Sequence, residues 1–131
     1  MPVPIVTTIT FDPQKGPIKV SLDFDTMFLC TYEFDLREAK TNDSVRGFPG
    51  SGDNANPQLD EFELPKPTSK NNGRKGLAFI NILDQTGNGG TYECSKTYSQ
   101  DGITLGSVST GKKKISGNVA VEILAAKLVA K

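Results

Sequence analysis

GLAFINILDQTGNGGTYECSKTYSQDGITLGSV, residues 76–108, carries the reading of the fold. Residues 76–83 are apolar on both faces, the pattern of a strand buried on two sides. Residues 84–90 (DQTGNGG) form a turn cluster in which Gly87, Asn88, Gly89 and Gly90 tolerate positive φ. Residues 91–99 then alternate, with Tyr92, Cys94 and Tyr98 on one face and Thr91, Glu93, Ser95 and Thr97 on the other. Asp101-Gly102 favours a tight hairpin turn, after which Ile103 and Leu105 resume the alternation. The run predicts a strand, a loop, a second strand, a tight turn and a third strand of an antiparallel sheet.

Toward the N-terminus the same period recurs. Val3 to Phe11 reads as a first strand, with Ile5, Thr7, Ile9 and Phe11 on one face, and residues 12–17 form a turn by composition. Ile18, Val20, Leu22 and Phe24 alternate against Lys19, Ser21, Asp23 and Asp25. Phe28, Cys30, Tyr32, Phe34 and Leu36 continue in the same even register. The two runs are either one long bent strand or a hairpin looping at Asp25 to Met27.

Between these strands and the central run lie three less regular pieces. Ala39 to Pro57 is rich in Gly, Asn, Asp and Ser and is expected to be a functional loop. Leu59 to Leu64 is a short acidic strand ended by prolines 65 and 67, and Lys66 to Lys75 a basic loop. After the central run, Lys112, Lys113 and Lys114 form a second basic cluster. Residues 119–131 fit a helical face through Val121, Leu124, Ala125 and Leu128, and equally a strand through Val119, Val121 and Ile123. A strand turning helical near the alanines is favoured. The expected fold is mainly β: one domain, 1–131, forming an antiparallel sandwich or barrel of about seven to eight strands, with room for a short C-terminal helix. Its core holds Phe28, Cys30, Tyr32, Phe34, Phe79, Tyr92, Cys94 and Tyr98.

Composition narrows the function. A chain of 131 residues buries roughly two-thirds of its unfolded surface, enough for a core without metal or disulfides. Fifteen basic and fifteen acidic residues cancel, so no global field steers it to nucleic acid or an anionic membrane. No run reaches the ~18 apolar residues of a membrane span, and MPVPIVTTITF lacks the features of a signal peptide. The expected location is cytoplasmic, or within an assembly exported without a cleaved signal. In that compartment Cys30 and Cys94 are favoured as two buried thiols over one bridge.

The chain contains no histidine, which removes Ser-His-Asp and Cys-His triads and, with two distant cysteines, zinc sites. Asp23 with Asp25, and Glu33 with Asp35, sit two apart on strands and read as a solvated edge. Asp53, Asn54, Asn56, Asp60 and Glu61 lack EF-hand spacing and read as a polar turn. Residues 106–113 (GSVSTGKK) nearly match a phosphate-binding loop, but Lys113 replaces the magnesium-binding hydroxyl. No enzyme activity and no cofactor are expected.

Three short stretches resemble known families. Residues 75–82 (KGLAFINI) resemble the nucleic-acid-binding octamer of RNA-recognition motifs, with Leu77 and Ile82 where aromatics would stack bases. Residues 88–94 (NGGTYEC) resemble the strand E–F corner of immunoglobulin-like domains, where a tyrosine bonds back to the corner backbone; this implies a β-sandwich, without the strand C tryptophan. Residues 30–34 (CTYEF) resemble an early strand of tube-forming subunits of bacterial contractile injection systems, which implies self-assembly.

Function is therefore expected in surfaces. Acidic positions concentrate at 23–38 and 60–63, basic ones at 66–75 and 112–114, a separation suited to head-to-tail contacts between copies. The leading expectation is a structural homo-oligomer, such as a tube, shell or virion-type component. The alternative is an adhesin-like module that binds protein or carbohydrate through its loops. Candidate contacts are Lys66, Lys70, Arg74, Lys75, Lys112, Lys113, Lys114, Asp53 and Asp60. The partner is another copy or another protein, with neither nucleic acid nor membrane insertion expected.

Overall fold

A computed structural model of the chain describes residues 5–52 and 60–131. These form ten strands: β1 (Ile5–Phe11), β2 (Ile18–Thr26), β3 (Leu29–Arg37), β4 (Ser44–Gly52), β5 (Asp60–Glu63), β6 (Lys75–Leu83), β7 (Thr91–Gln100), β8 (Ile103–Ser109), β9 (Lys113–Lys114) and β10 (Val119–Ala130). The front sheet runs β1-β10-β6-β3-β4 and the back sheet β5-β2-β7-β8, with β9 also paired to β7. All pairings are antiparallel except β1 with β10. The two layers form an open sandwich, not a closed barrel, and hold more strands than the periodicity suggested.

The even-numbered runs that left β2 and β3 ambiguous are neither one bent strand nor a hairpin. They belong to different sheets. At the crossing, Thr26 Oγ1 accepts the Phe28 N–H (3.1 Å) and donates to Thr91 O (3.1 Å). Residues 84–90 likewise carry the chain from front to back. The Asp101-Gly102 turn between β7 and β8 forms as expected, with φ of 51° and 80°. Positive φ at both positions suits the right-handed twist of the flanking strands.

Apolar residues from both inner faces make a single core. One long side is closed by aromatics, Phe48 of β4 stacking on Phe62 of β5 at 4.3 Å and Phe62 meeting Phe34 at 4.9 Å. On the other side Ile9 of β1 packs so closely on Gly106 of β8 that an added Cβ would stand 2.8 Å from its Cδ1.

Three expectations need correction. Residues 119–130 are one long strand without a helix, because the β1 and β6 ladders on both sides satisfy its backbone. Within the expected 39–57 loop, Ser44–Gly52 is β4, paired along β3 from Cys30 to Arg37, and residues 53–57 lie outside the described residues. Finally, β6 is not buried on two faces: Ala78, Ile80 and Ile82 enter the core, whereas Phe79 lies on the half-exposed outer face, its ring 5.5 Å beneath the Arg37 guanidinium. Among the described residues no helix is long and apolar enough to cross a membrane.

Candidate functional site

The inward row of β7 is Tyr92, Cys94, Lys96, Tyr98 and Gln100, all buried. Strict alternation placed Lys96 there, but lysine reads as a surface residue and the sequence reasoning passed over it. Lys96 Nζ donates to Gly76 O and Leu124 O of the front sheet, 2.8 Å each. The nitrogen also lies 5.2 Å from the ring centroids of Phe34 and Tyr98. Burial pulls its pKa well below the ordinary lysine value near 10.5. Burial pushes the neighbouring Tyr98 hydroxyl up, and that hydroxyl makes no hydrogen bond.

Glu122 of β10 is the second buried ionisable residue that the alternation concealed. Tyr92 Oη donates a hydrogen bond to its Oε2, and Lys113 Nζ lies 3.2 Å from both carboxylate oxygens. Burial first, then the bond to Glu122, raises the Tyr92 pKa. The corner expectation from the immunoglobulin-like stretch is thereby corrected, since Tyr92 bonds a carboxylate across the sandwich and not the corner backbone. The corner is held by buried Asp84 instead, whose Oδ1 accepts from Thr86 N, Thr86 Oγ1 and Gly87 N, and whose Oδ2 accepts from Gly89 N at 2.8 Å. The Gly89 bond foremost, aided by Thr86 and Gly87, holds this carboxyl below its ordinary value against the opposing effect of burial.

On the outside, the sheets differ in charge. Asp23 and Asp25 of β2, Glu61 and Glu63 of β5 and half-buried Glu93 of β7 face outward from the back sheet. Lys19, 3.8 Å from Glu61, is the one base on these three strands' outer face among the described residues. Asp25 and Glu93 stand directly opposite each other. The outer face of the front sheet changes along its strands. At one end Arg37, Lys75 and Lys127 align across β3, β6 and β10. At the other end Leu29, Leu83 and Val119 align on the same strands, beside Met27, which is 79% exposed.

The candidate contacts divide accordingly. Exposed Lys66 precedes, and exposed Lys70 lies within, a 3₁₀ turn (Thr68–Asn71) that delivers the chain to the basic end of the front sheet, where Lys75 stands in the basic row. Arg74 is committed to Glu38 and to Asn71 Oδ1. The 112–114 cluster is not segregated from acid as expected: Lys113 pairs with Glu122, and Lys112 lines a small cavity with Asp25 and Glu93. Lys114 is exposed, opposite Thr91. Asp60 opens β5 opposite Leu22, and Asp53 lies outside the described residues, as does most of the candidate polar turn. Lys127 joins the basic row only because residues 119–130 are a strand, a placement that a helical turn near the alanines would hide. Residues 106–109 end β8 and 113–114 form β9, so no helix follows the phosphate-loop-like stretch.

Among the described residues no group of three or more Cys, Asp or Glu could hold a metal ion. No protein-family model, no curated protein and no solved structure matches this chain.

Proposed function

We propose that the chain is a non-catalytic structural subunit that assembles with copies of itself, the acidic outer face of the back sheet meeting the basic end of the front sheet of the next copy. The observation that carries this reading is the contrast between the acidic outer face of the back sheet and Lys75 and Lys127 at one end of the front sheet, beside Arg37 paired to Asp35, in a chain whose net charge is zero. Complementary but different faces on one molecule make a heterologous contact, which closes rings or extends filaments. The aligned Leu29, Leu83 and Val119 supply exposed apolar surface of the kind that marks an interface.

Light scattering across a salt series tests it. The expected result is a large homo-oligomer at low salt that dissociates as salt shortens the Debye length below about 10 Å. Asp25→Lys and Lys75→Glu should each shift the equilibrium toward monomer, and mixing the two variants should restore mixed assemblies. A sharp monomer of about 14 kDa at every salt concentration overturns the reading.

A second reading, a binding module for a protein ligand, draws on an open cavity of about 270 Å³ bordered by Glu38, Lys40, Thr41, Lys70 and Arg74. A pulldown and a glycan array that both come back empty would remove it.

A further inference from the structure

Cys30 and Cys94 lie on facing strands of the two sheets, each fully buried and unbridged. Both side chains lie on the inward rows of their strands, and Cys30 Sγ donates to Phe28 O at 3.9 Å. The neighbouring residues bring the two strand positions close to each other. Phe24 stands opposite Cys94 in the β2–β7 ladder, and its ring stacks at 5.7 Å on Tyr32, two positions beyond Cys30. Tyr92 and Lys96, on either side of Cys94 in the inward row, reach Glu122 and Leu124 of the front sheet. Sandwiched sheets ordinarily stand about 10 Å apart, too far for a disulfide except where small facing residues let the sulfurs approach.

We propose that Cys30 and Cys94 are a latent inter-sheet disulfide, closed when the chain folds in the presence of a small disulfide oxidant such as oxidised glutathione. One cysteine thiolate attacks the oxidant, forming a mixed disulfide and releasing one glutathione thiolate. The second cysteine thiolate then attacks the protein sulfur of that mixed disulfide and expels the other glutathione. Two electrons pass from the cysteine sulfurs to glutathione disulfide, and the two thiol protons end on two glutathione thiols. Closure belongs to folding because the finished core admits no oxidant. The influence of Cys30 first, and burial after it, also push the Cys94 thiol up and hold it protonated once the sandwich is packed. The bridge would enclose the chain from 30 to 94, a long loop, and so constrain the unfolded chain strongly.

The experiment is to refold urea-unfolded protein in a glutathione redox buffer and in dithiothreitol. The expected product from glutathione is folded protein lighter by two hydrogens, with one peptide pair joined through Cys30 and Cys94. Its thermal midpoint should be higher by on the order of 10 °C, a gain lost on reduction. Folded protein that emerges from the oxidising buffer with both thiols free, or with glutathione attached to each, overturns the proposal. This mass measurement on the unaltered chain needs no variant to fold. In Cys30→Ala the two buffers should give the same midpoint, and a difference there would also overturn it.

Discussion

Lys96 and Glu122 are ionisable residues on core-facing rows, one in each sheet, and both tie the layers together. Their surroundings differ in one respect. Glu122 lies within reach of β9, from which Lys113 meets it with its side chain 45% exposed. Lys96 lies deeper, among Phe34, Tyr98, Gly76 and Leu124, and its polar contacts are two backbone carbonyls. A buried carboxylate with a counter-charge and a hydroxyl donor is held by mutually dependent contacts, so removing one partner strands the others. A buried lysine held only by dipoles is in continual competition with its own desolvation. The first should resist substitution, and the second should improve on it.

The largest effect is expected at Gly76, whose carbonyl receives Lys96. A Cβ there would stand 2.4 Å from Tyr98 Oη and 2.7 Å from Phe34 Cζ, both within rigid rings. Gly76→Ala should destabilise by about 3 kcal/mol or more in urea denaturation. A loss below 1 kcal/mol would mean that the Lys96 pocket is looser than its geometry. Next, Glu122→Leu should cost about 2–3 kcal/mol by leaving the Tyr92 hydroxyl buried without an acceptor. If that variant were neutral, the distinction between the two sites would collapse.

Lys96→Met should instead raise stability at neutral pH by about 1–2 kcal/mol, as volume-conserving removal of a buried charge often does. The pH profile makes the comparison sharper. Because burial lowers the Lys96 pKa, the unfolded chain binds more protons than the folded one between that lowered value and about 10.5, so stability rises with pH in this window. Cys94, Tyr92 and Tyr98 act oppositely, since their raised pKa values keep protons on the folded chain that the unfolded chain releases above 9 to 10. Wild-type stability should therefore climb to about pH 9 and then fall. Lys96→Met should lose the climb and keep the fall. The smallest effect belongs to Lys113→Met, about 1 kcal/mol, because its ammonium is close to half exposed.

Alternation was legible wherever both faces differed in polarity. Tyr92, Cys94 and Tyr98, and the even positions from Ile18 to Leu36, are where the period put them. What it concealed was pairing between distant segments. Phe79 and Ile80 are equally apolar, and only the registers of β3 and β10 on either side of β6 decide which enters the core. The alanines of β10 suit a helix locally, and two flanking ladders override that preference. The candidate surfaces were half legible for the same reason. Asp23, Asp25 and Glu33 are exposed as the alternation predicts, whereas Asp35 is buried against Ser44 and Arg37, and Lys113 pairs with Glu122 through a contact no local pattern contains. Lys96 was available to the rule that found Tyr92, and chemistry-based prejudice about lysine hid it.

The parallel pairing of β1 with β10 also sets an order of assembly in time. Ile5 to Phe11 finds its hydrogen-bonding neighbour in residues 124–130. Until residues 124–130 leave the ribosome, β1 has no ladder to join. Pairings this distant in sequence make for slow folding, because the loop must close before any contact rewards it. A nascent chain thus carries Ile9 and Phe11, both core residues, unsheltered until that segment emerges. Shielding that strand during translation, for instance with a chaperone that holds extended apolar segments, should raise the yield of folded protein more than any late-acting factor.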